Sequence, residues 1–215
     1  AICHEVSKQT GIPLIGRSLP IKNKNDEFST SKLVGEAFCD NFEVTNLYEV
    51  FNKFLTLVDG VLNSEAFYTE ISQNDRMLKI HEENPSISGQ MVYKLSNFDP
   101  EAIKRLNKIF KETGCKLIVS SSWRFDSDLK ELFKMVGISN EIFGITGISQ
   151  TRYRGFEIQN YLDAQKNVLS YCILDDDCDM LPTQLDNFIQ TDFRVGLTED
   201  NVNKAIKILN RYDEH

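Results

Sequence analysis

From Lys53 to Leu209, short apolar runs alternate with segments whose apolar residues recur every three or four positions. Phe54-Leu55-Thr56-Leu57-Val58 is a β-prone run halted by Asp59-Gly60, which reads as a buried strand ending in a turn. Lys116-Leu117-Ile118-Val119 repeats the pattern and ends in Ser120-Ser121-Ser122-Trp123-Arg124. Tyr171-Cys172-Ile173-Leu174 repeats it again and ends in Asp175-Asp176-Asp177, and Phe188-Ile189-Gln190-Thr191 is a weaker version. Between these runs the period changes to that of a helix. Asp99 as N-cap and Pro100 at the first position open one, with Ile103, Leu106 and Phe110 on its apolar face and Gly114 as its stop. A second starts near Asp126, carries Leu129, Leu132, Phe133 and Val136, and stops at Gly137. A third runs from about Gly155 to Gln165 on Ile158, Tyr161 and Leu162, and the last, capped by Thr198, buries Val202, Ala205, Ile206 and Leu209.

Strands alternating with helices predict an α/β fold with a central parallel sheet, right-handed crossovers and helices on both faces. In such a sheet the site lies at the carboxyl ends of the strands, where the polar and acidic clusters fall. Residues 1–52 read differently. Gly11 to Gly16 and Ile21 to Lys32 carry turn chemistry, with short helices expected around Ser31–Phe38 and Asn46–Phe54. They form an expected N-terminal extension to an α/β domain over 53–215, with three roles open to it: covering the mouth of the site, docking another protein or completing the core.

The chain has 215 residues, 41% hydrophobic and 26% charged, enough for one sizeable domain with an appendage and too apolar for wholesale disorder. A formal charge of −8 argues against a general basic surface for wrapping duplex nucleic acid and leaves room for a local basic groove. No apolar run approaches the roughly 18 residues of a spanning helix, so no membrane is expected. The first residues lack the basic and apolar regions of a signal peptide, and a start without Met is expected from processing or trimming. Cys3, Cys39, Cys115, Cys172 and Cys178 are odd in number and form no C-x-x-C pair, which disfavours a disulfide framework or structural zinc. A reducing, cytoplasmic setting is the expectation.

Three strand-terminal clusters are positioned to converge: Asp59-Gly60, Ser120-Ser121-Ser122 and Asp175-Asp176-Asp177-Cys178-Asp179. Carboxylate oxygens suit Mg²⁺, while hydroxyls and backbone N–H groups suit phosphate oxygens. Arg152-Tyr153-Arg154-Gly155 adds cationic groups at a helix N-terminus.

Asp59-Gly60-Val61-Leu62-Asn63, Leu117 through Arg124, Arg154-Gly155-Phe156-Glu157-Ile158 and Ile173 through Asp177 occur in that order over about 53–212. Together they resemble the haloacid dehalogenase (HAD) superfamily, especially the small HAD domains of RNA-repair proteins. The resemblance implies a Rossmann-like core, Mg²⁺ dependence and phosphomonoester hydrolysis through an aspartyl-phosphate. It makes Asp59 the general acid/base, Ser120 with Ser121 the phosphate-binding hydroxyls and Arg154 the phosphate clamp. Asp59 and Asp175, with Asp176 or Asp179, would hold the metal. The short Val61–Asn97 insertion implies a small or absent cap and an open pocket, which by analogy suits a phosphorylated ligand or a nucleic-acid end.

The departure is at position 57. The family carries D-x-D-G, its first Asp acting as nucleophile and metal ligand, where this chain has Leu57-Val58-Asp59-Gly60. Leucine neither attacks phosphorus nor ligates Mg²⁺. Thr56 falls on the opposite strand face from position 57 unless a one-residue bulge turns it round. Cys115 and Arg124 lack the Cys-x5-Arg spacing of cysteine phosphatases. The leading expectation is a pseudo-phosphatase, a binding or structural module with weak or lost Mg²⁺ affinity. An active phosphohydrolase with an unrecognised nucleophile and an inert domain of a larger polypeptide stay open beside it.

Overall fold

The computed structural model describes residues 52–57, Leu57 by its backbone, and 60–213. The expectations placed on residues 1–51 and on Asp59 lie outside the described residues. Strands β1 (Asn52–Leu57), β2 (Lys116–Val119), β3 (Ile142–Ile145), β4 (Val168–Asp175) and β5 (Phe188–Gln190) form one parallel sheet in the order β3-β2-β1-β4-β5. The three strongest strands of the sequence pattern, β2, β1 and β4, are its adjacent centre. From β1 the chain builds outward to β3 and then returns to the other side of β1. The order therefore reverses beside β1, and the carboxyl ends of β1 and β4 flank the crevice where such sheets bind ligands.

The described helices are α1 (Glu65–Glu70), α2 (Gln73–Glu83), α3 (Gly89–Leu95), α4 (Pro100–Thr113), α5 (Leu129–Met135), α6 (Arg154–Asp163) and α7 (Glu199–Leu209), with 3-10 turns at Ser122–Phe125 and Pro182–Asn187. Leu55, Leu117, Val119, Cys172 and Leu174 face one side of the sheet and pack on α4, α5 and α7. Phe54, Ile118 and Ile173 face the other and pack on Ile158 and Leu162 of α6. Residues 52–54 belong to β1 instead of closing the helix expected over Asn46–Phe54, because Phe54 and Leu55 are buried on opposite faces, the two-residue period of a strand. Asp99 caps α4 by accepting from Glu101 N, and Gly114 closes it. The helix expected from Asp126 starts later, at Leu129, since Ser122–Phe125 forms its own 3-10 turn.

The Val61–Asn97 insertion folds as α1–α3, each capped by a serine: Ser64, Ser72 and Ser88 accept from the backbone N–H three residues on. Arg76 pins the three together. Its guanidinium donates to the carbonyls of Ser96 (3.0 Å), Phe67 (3.2 Å) and Ile71, and lies 4.3 Å from the Phe67 ring centroid. Carbonyls at helix ends carry the negative pole of the dipole, so they help stabilise this buried cation. Among the described residues, no helix is long and apolar enough to cross a membrane.

Candidate functional site

Leu57 closes β1, level with Val119 of β2 and Leu174 of β4. The next residues on those partners are Ser120 and Asp175, so the strand ends one residue short of two polar positions on its neighbours. The register runs unbroken from Phe54 to Leu57 against both neighbours, and the shift in β1 falls at its far end, Asn52/Lys53. No bulge therefore turns Thr56 toward the face of position 57. Thr56 is buried and shares the α6 side with Phe54. Gly60 then turns the chain at φ 70°, a left-handed conformation glycine adopts without steric cost. A side chain there would collide with the Asp176 carboxyl, which lies against the Gly60 backbone.

The helix α6 brings the arginine clamp to the sheet edge through polar ties, its apolar face being short. Arg154 N donates to Asp179 Oδ2 (3.0 Å), Gly155 N to the Asp179 carbonyl (3.0 Å), and Gln184 Nε2 to the Gly155 carbonyl (2.9 Å). This close approach demands glycine at 155, where a Cβ would come within 2.7 Å of Leu181 N and 2.9 Å of Gln184 Oε1. From this seat the Arg154 guanidinium donates to the Ser120 carbonyl and places Nε 3.7 Å from Asp175 Oδ2. Arg124 also donates to the Ser120 carbonyl and forms a buried pair with Glu157, Nη2 to Oε2 at 2.8 Å.

Ser120, Arg154, Asp175 and Asp179 thus meet at one sheet edge, with Asp176 against Gly60. The Ser120 hydroxyl, assigned to phosphate by the resemblance, is fully buried and hydrogen bonded to Thr146 Oγ1 at 2.8 Å. The Ser121 hydroxyl accepts from Trp123 N and caps the 3-10 turn. The two buried thiols offer no alternative nucleophile. Cys115 precedes β2 at the opposite sheet edge, where burial pushes its thiol up to about 11. Cys172 is buried within β4 and shifted upward by the same cause.

Asp175 is almost wholly buried. Burial pushes its carboxyl up to about 8, against the opposing effects of the Asp177 N–H (3.2 Å) and Arg154, while Asp176 and Asp179 add repulsion. Among the described residues, its Oδ2 and the Oδ1 of Asp179 have no hydrogen-bond partner. Buried carboxylate oxygens without a hydrogen bond fit a hard cation such as the Mg²⁺ implied by the resemblance. Yet no three His, Cys, Asp or Glu side chains among the described residues group into a metal site.

A carboxyl raised above its unfolded value near 3.9 binds its proton more tightly in the folded chain. The stability of the metal-free protein therefore falls as pH rises from about 4 to about 8. Asp175→Asn is expected to remove that slope and to stabilise the metal-free chain at pH 8 by roughly 1–3 kcal/mol, a few degrees in Tm, with no gain at pH 4. Scanning calorimetry in a chelator checks this; an equal slope in both proteins contradicts it.

Two residues that tie the candidate site together have no role in the sequence reading: Thr146, which holds Ser120, and Glu157, which holds Arg124. Glu157 had a legible signal. Arg154, Glu157, Ile158 and Tyr161 follow the i, i+3, i+4, i+7 spacing, so the carboxylate sits on the inward face and requires a partner.

The sheet order, with polar clusters at the carboxyl ends of its central strands, defines a Rossmann-like HAD core. The family model for the HAD domain in Swiss Army Knife RNA repair proteins matches residues 57–202, more than half of the chain, and the chain belongs to that family. No curated protein matches it. Among solved structures, a haloacid dehalogenase-like family hydrolase, SP0104 from Streptococcus pneumoniae, is similar at 13% identity with a TM-score of 0.35, covering 74% of this chain and 92% of that one. A likeness that distant carries no argument about function.

Proposed function

We propose that this chain is a HAD-like pseudo-phosphatase, which holds a phosphorylated group at the carboxyl edge of its sheet and does not hydrolyse it. The observation that carries the reading is the register of β1: a leucine ends the strand between the positions leading into Ser120 and Asp175. Around it the charged groups that suit a phosphate remain. Arg154 offers a guanidinium beside the Ser120 loop, and the α6 N-terminus adds its dipole. Asp175 and Asp176, with Asp179 behind them, would hold Mg²⁺. When bound, that ion supplies charge neutralisation to the phosphoryl oxygens. With no carboxylate at 57 it would bind weakly, and the leucine there supplies no group to attack phosphorus.

Titration calorimetry with inorganic phosphate tests the reading. The unmodified chain is expected to bind phosphate, and Arg154→Ala to weaken it by tenfold or more, the usual effect of removing a charge-assisted hydrogen bond. Phosphate affinity absent from the unmodified chain, or unchanged in Arg154→Ala, contradicts it. The inert-scaffold reading draws on one observation, the engagement of the Ser120 hydroxyl by Thr146. It requires no phosphate binding at all, so the same titration separates the two.

A further inference from the structure

Beside the clamp lies an open pocket of about 360 Å³, lined by Arg124, Phe125, Ile148, Arg152, Arg154 and Glu157, among others. That volume falls within the range of roughly 300–1,000 Å³ typical of small-molecule sites. Its charge runs against the rest of the molecule. The chain carries −8 overall, yet three guanidiniums face this hollow against one carboxylate, and that carboxylate is already committed to Arg124. Arg152 makes no ion pair among the described residues and is exposed. Arg124, its side chain only 7% exposed, leaves Nε without a partner.

The apolar part of the lining is equally uncommon for an open surface. Phe125 is 65% exposed and Ile148 62% exposed. The Arg124 guanidinium lies 4.9 Å from the centroid of the Phe125 ring, which leaves most of that aromatic surface to solvent. An exposed aromatic ring with guanidiniums at its edge suits a planar, anionic guest, since stacking tolerates any aromatic base and guanidinium recognises phosphate.

Resting on the reading of Arg154 as a phosphate clamp, we infer that this pocket is a subsite for the organic half of the bound phosphomonoester. It recognises a nucleotide that carries a second phosphate. The first phosphate sits at Arg154, the base stacks on Phe125 beside Ile148, and the second phosphate pairs with Arg152. A free nucleoside bisphosphate and the phosphorylated end of a strand share this chemistry.

Titration of the full chain with four probes tests the inference: inorganic phosphate, a nucleoside 5′-monophosphate, a nucleoside 3′,5′-bisphosphate and a 5′-phosphorylated tetranucleotide. The monophosphate is expected to bind about tenfold more tightly than phosphate, and the bisphosphate about tenfold more tightly again. Phe125→Ala removes the first increment and Arg152→Ala the second, each leaving phosphate affinity unchanged. A tetranucleotide tighter than the bisphosphate identifies a strand end as the guest; one weaker identifies the free nucleotide; both support the subsite. Phosphate binding with no nucleotide increment, or increments indifferent to both substitutions, overturns the subsite and leaves the clamp standing. Nucleotide binding that depends on Phe125 and Arg152 without phosphate binding keeps the subsite and overturns the clamp. No binding of any probe overturns both.

Discussion

Leu57→Asp is expected to gain Mg²⁺-dependent phosphomonoesterase turnover that the unmodified chain lacks, and Asp59→Asn in that background is expected to abolish it. Position 57 ends the central strand, level with the residues that lead into Ser120 and Asp175. A carboxylate there would take both roles the family assigns to it, attack on phosphorus and a share of the metal. Each role is worth roughly 3–4 kcal/mol of barrier, so restoring both is worth about 10⁵ in rate at 1.36 kcal/mol per decade. A gain of even a small part of that rises clearly above the uncatalysed rate. Phosphate release from a simple aryl phosphomonoester, with and without Mg²⁺, reads it directly. Equal turnover by the two proteins contradicts the assignment of position 57.

Glu157→Ala is expected to destabilise the fold by about 3–5 kcal/mol, the usual cost of removing one partner of a buried ion pair. The Arg124 and Glu157 side chains are 7% and 4% exposed, and Glu157 also accepts from Ser149 N at 3.2 Å. Its removal strands a buried guanidinium whose Nε is already unpartnered. Asp200→Ala supplies the contrast. Its partner Lys204 is 2.6 Å away, but both side chains are more than half exposed, and such pairs contribute about 0–1 kcal/mol. Replacing Arg124 and Glu157 together with apolar residues should recover much of the loss. Urea unfolding checks the series, and a Glu157→Ala cost no larger than that of Asp200→Ala contradicts it.

The parallel sheet was legible because its central strands are buried on both faces, and so read as continuous apolar runs stopped by polar clusters. β3 was not. Its burial alternates between half-buried and exposed, and Gly144 interrupts it where the Tyr161 side chain packs against the backbone. Helix α1 was hidden by its short length and its lack of buried residues, α2 by burying Arg76 alone, and α3 by its short length; their serine caps were the signal present. Site residues on strand ends, Ser120 and Asp175, follow from the strands themselves. What the Ser120 hydroxyl touches did not follow, since Thr146 approaches it from the end of an unrecognised strand. The Arg124–Glu157 pair joins residues 33 apart in sequence and is set by how α6 lies on the sheet, which only the tertiary fold determines.

The most direct measurement is a ³¹P NMR time course of a phosphomonoester mixed with the unmodified chain and Mg²⁺. The expected result is a substrate resonance shifted or broadened by binding, sensitive to Arg154→Ala, with no inorganic phosphate accumulating above the protein-free control. Steady accumulation of inorganic phosphate, abolished by Asp175→Asn, would contradict the pseudo-phosphatase reading and make the chain an enzyme whose nucleophile lies elsewhere.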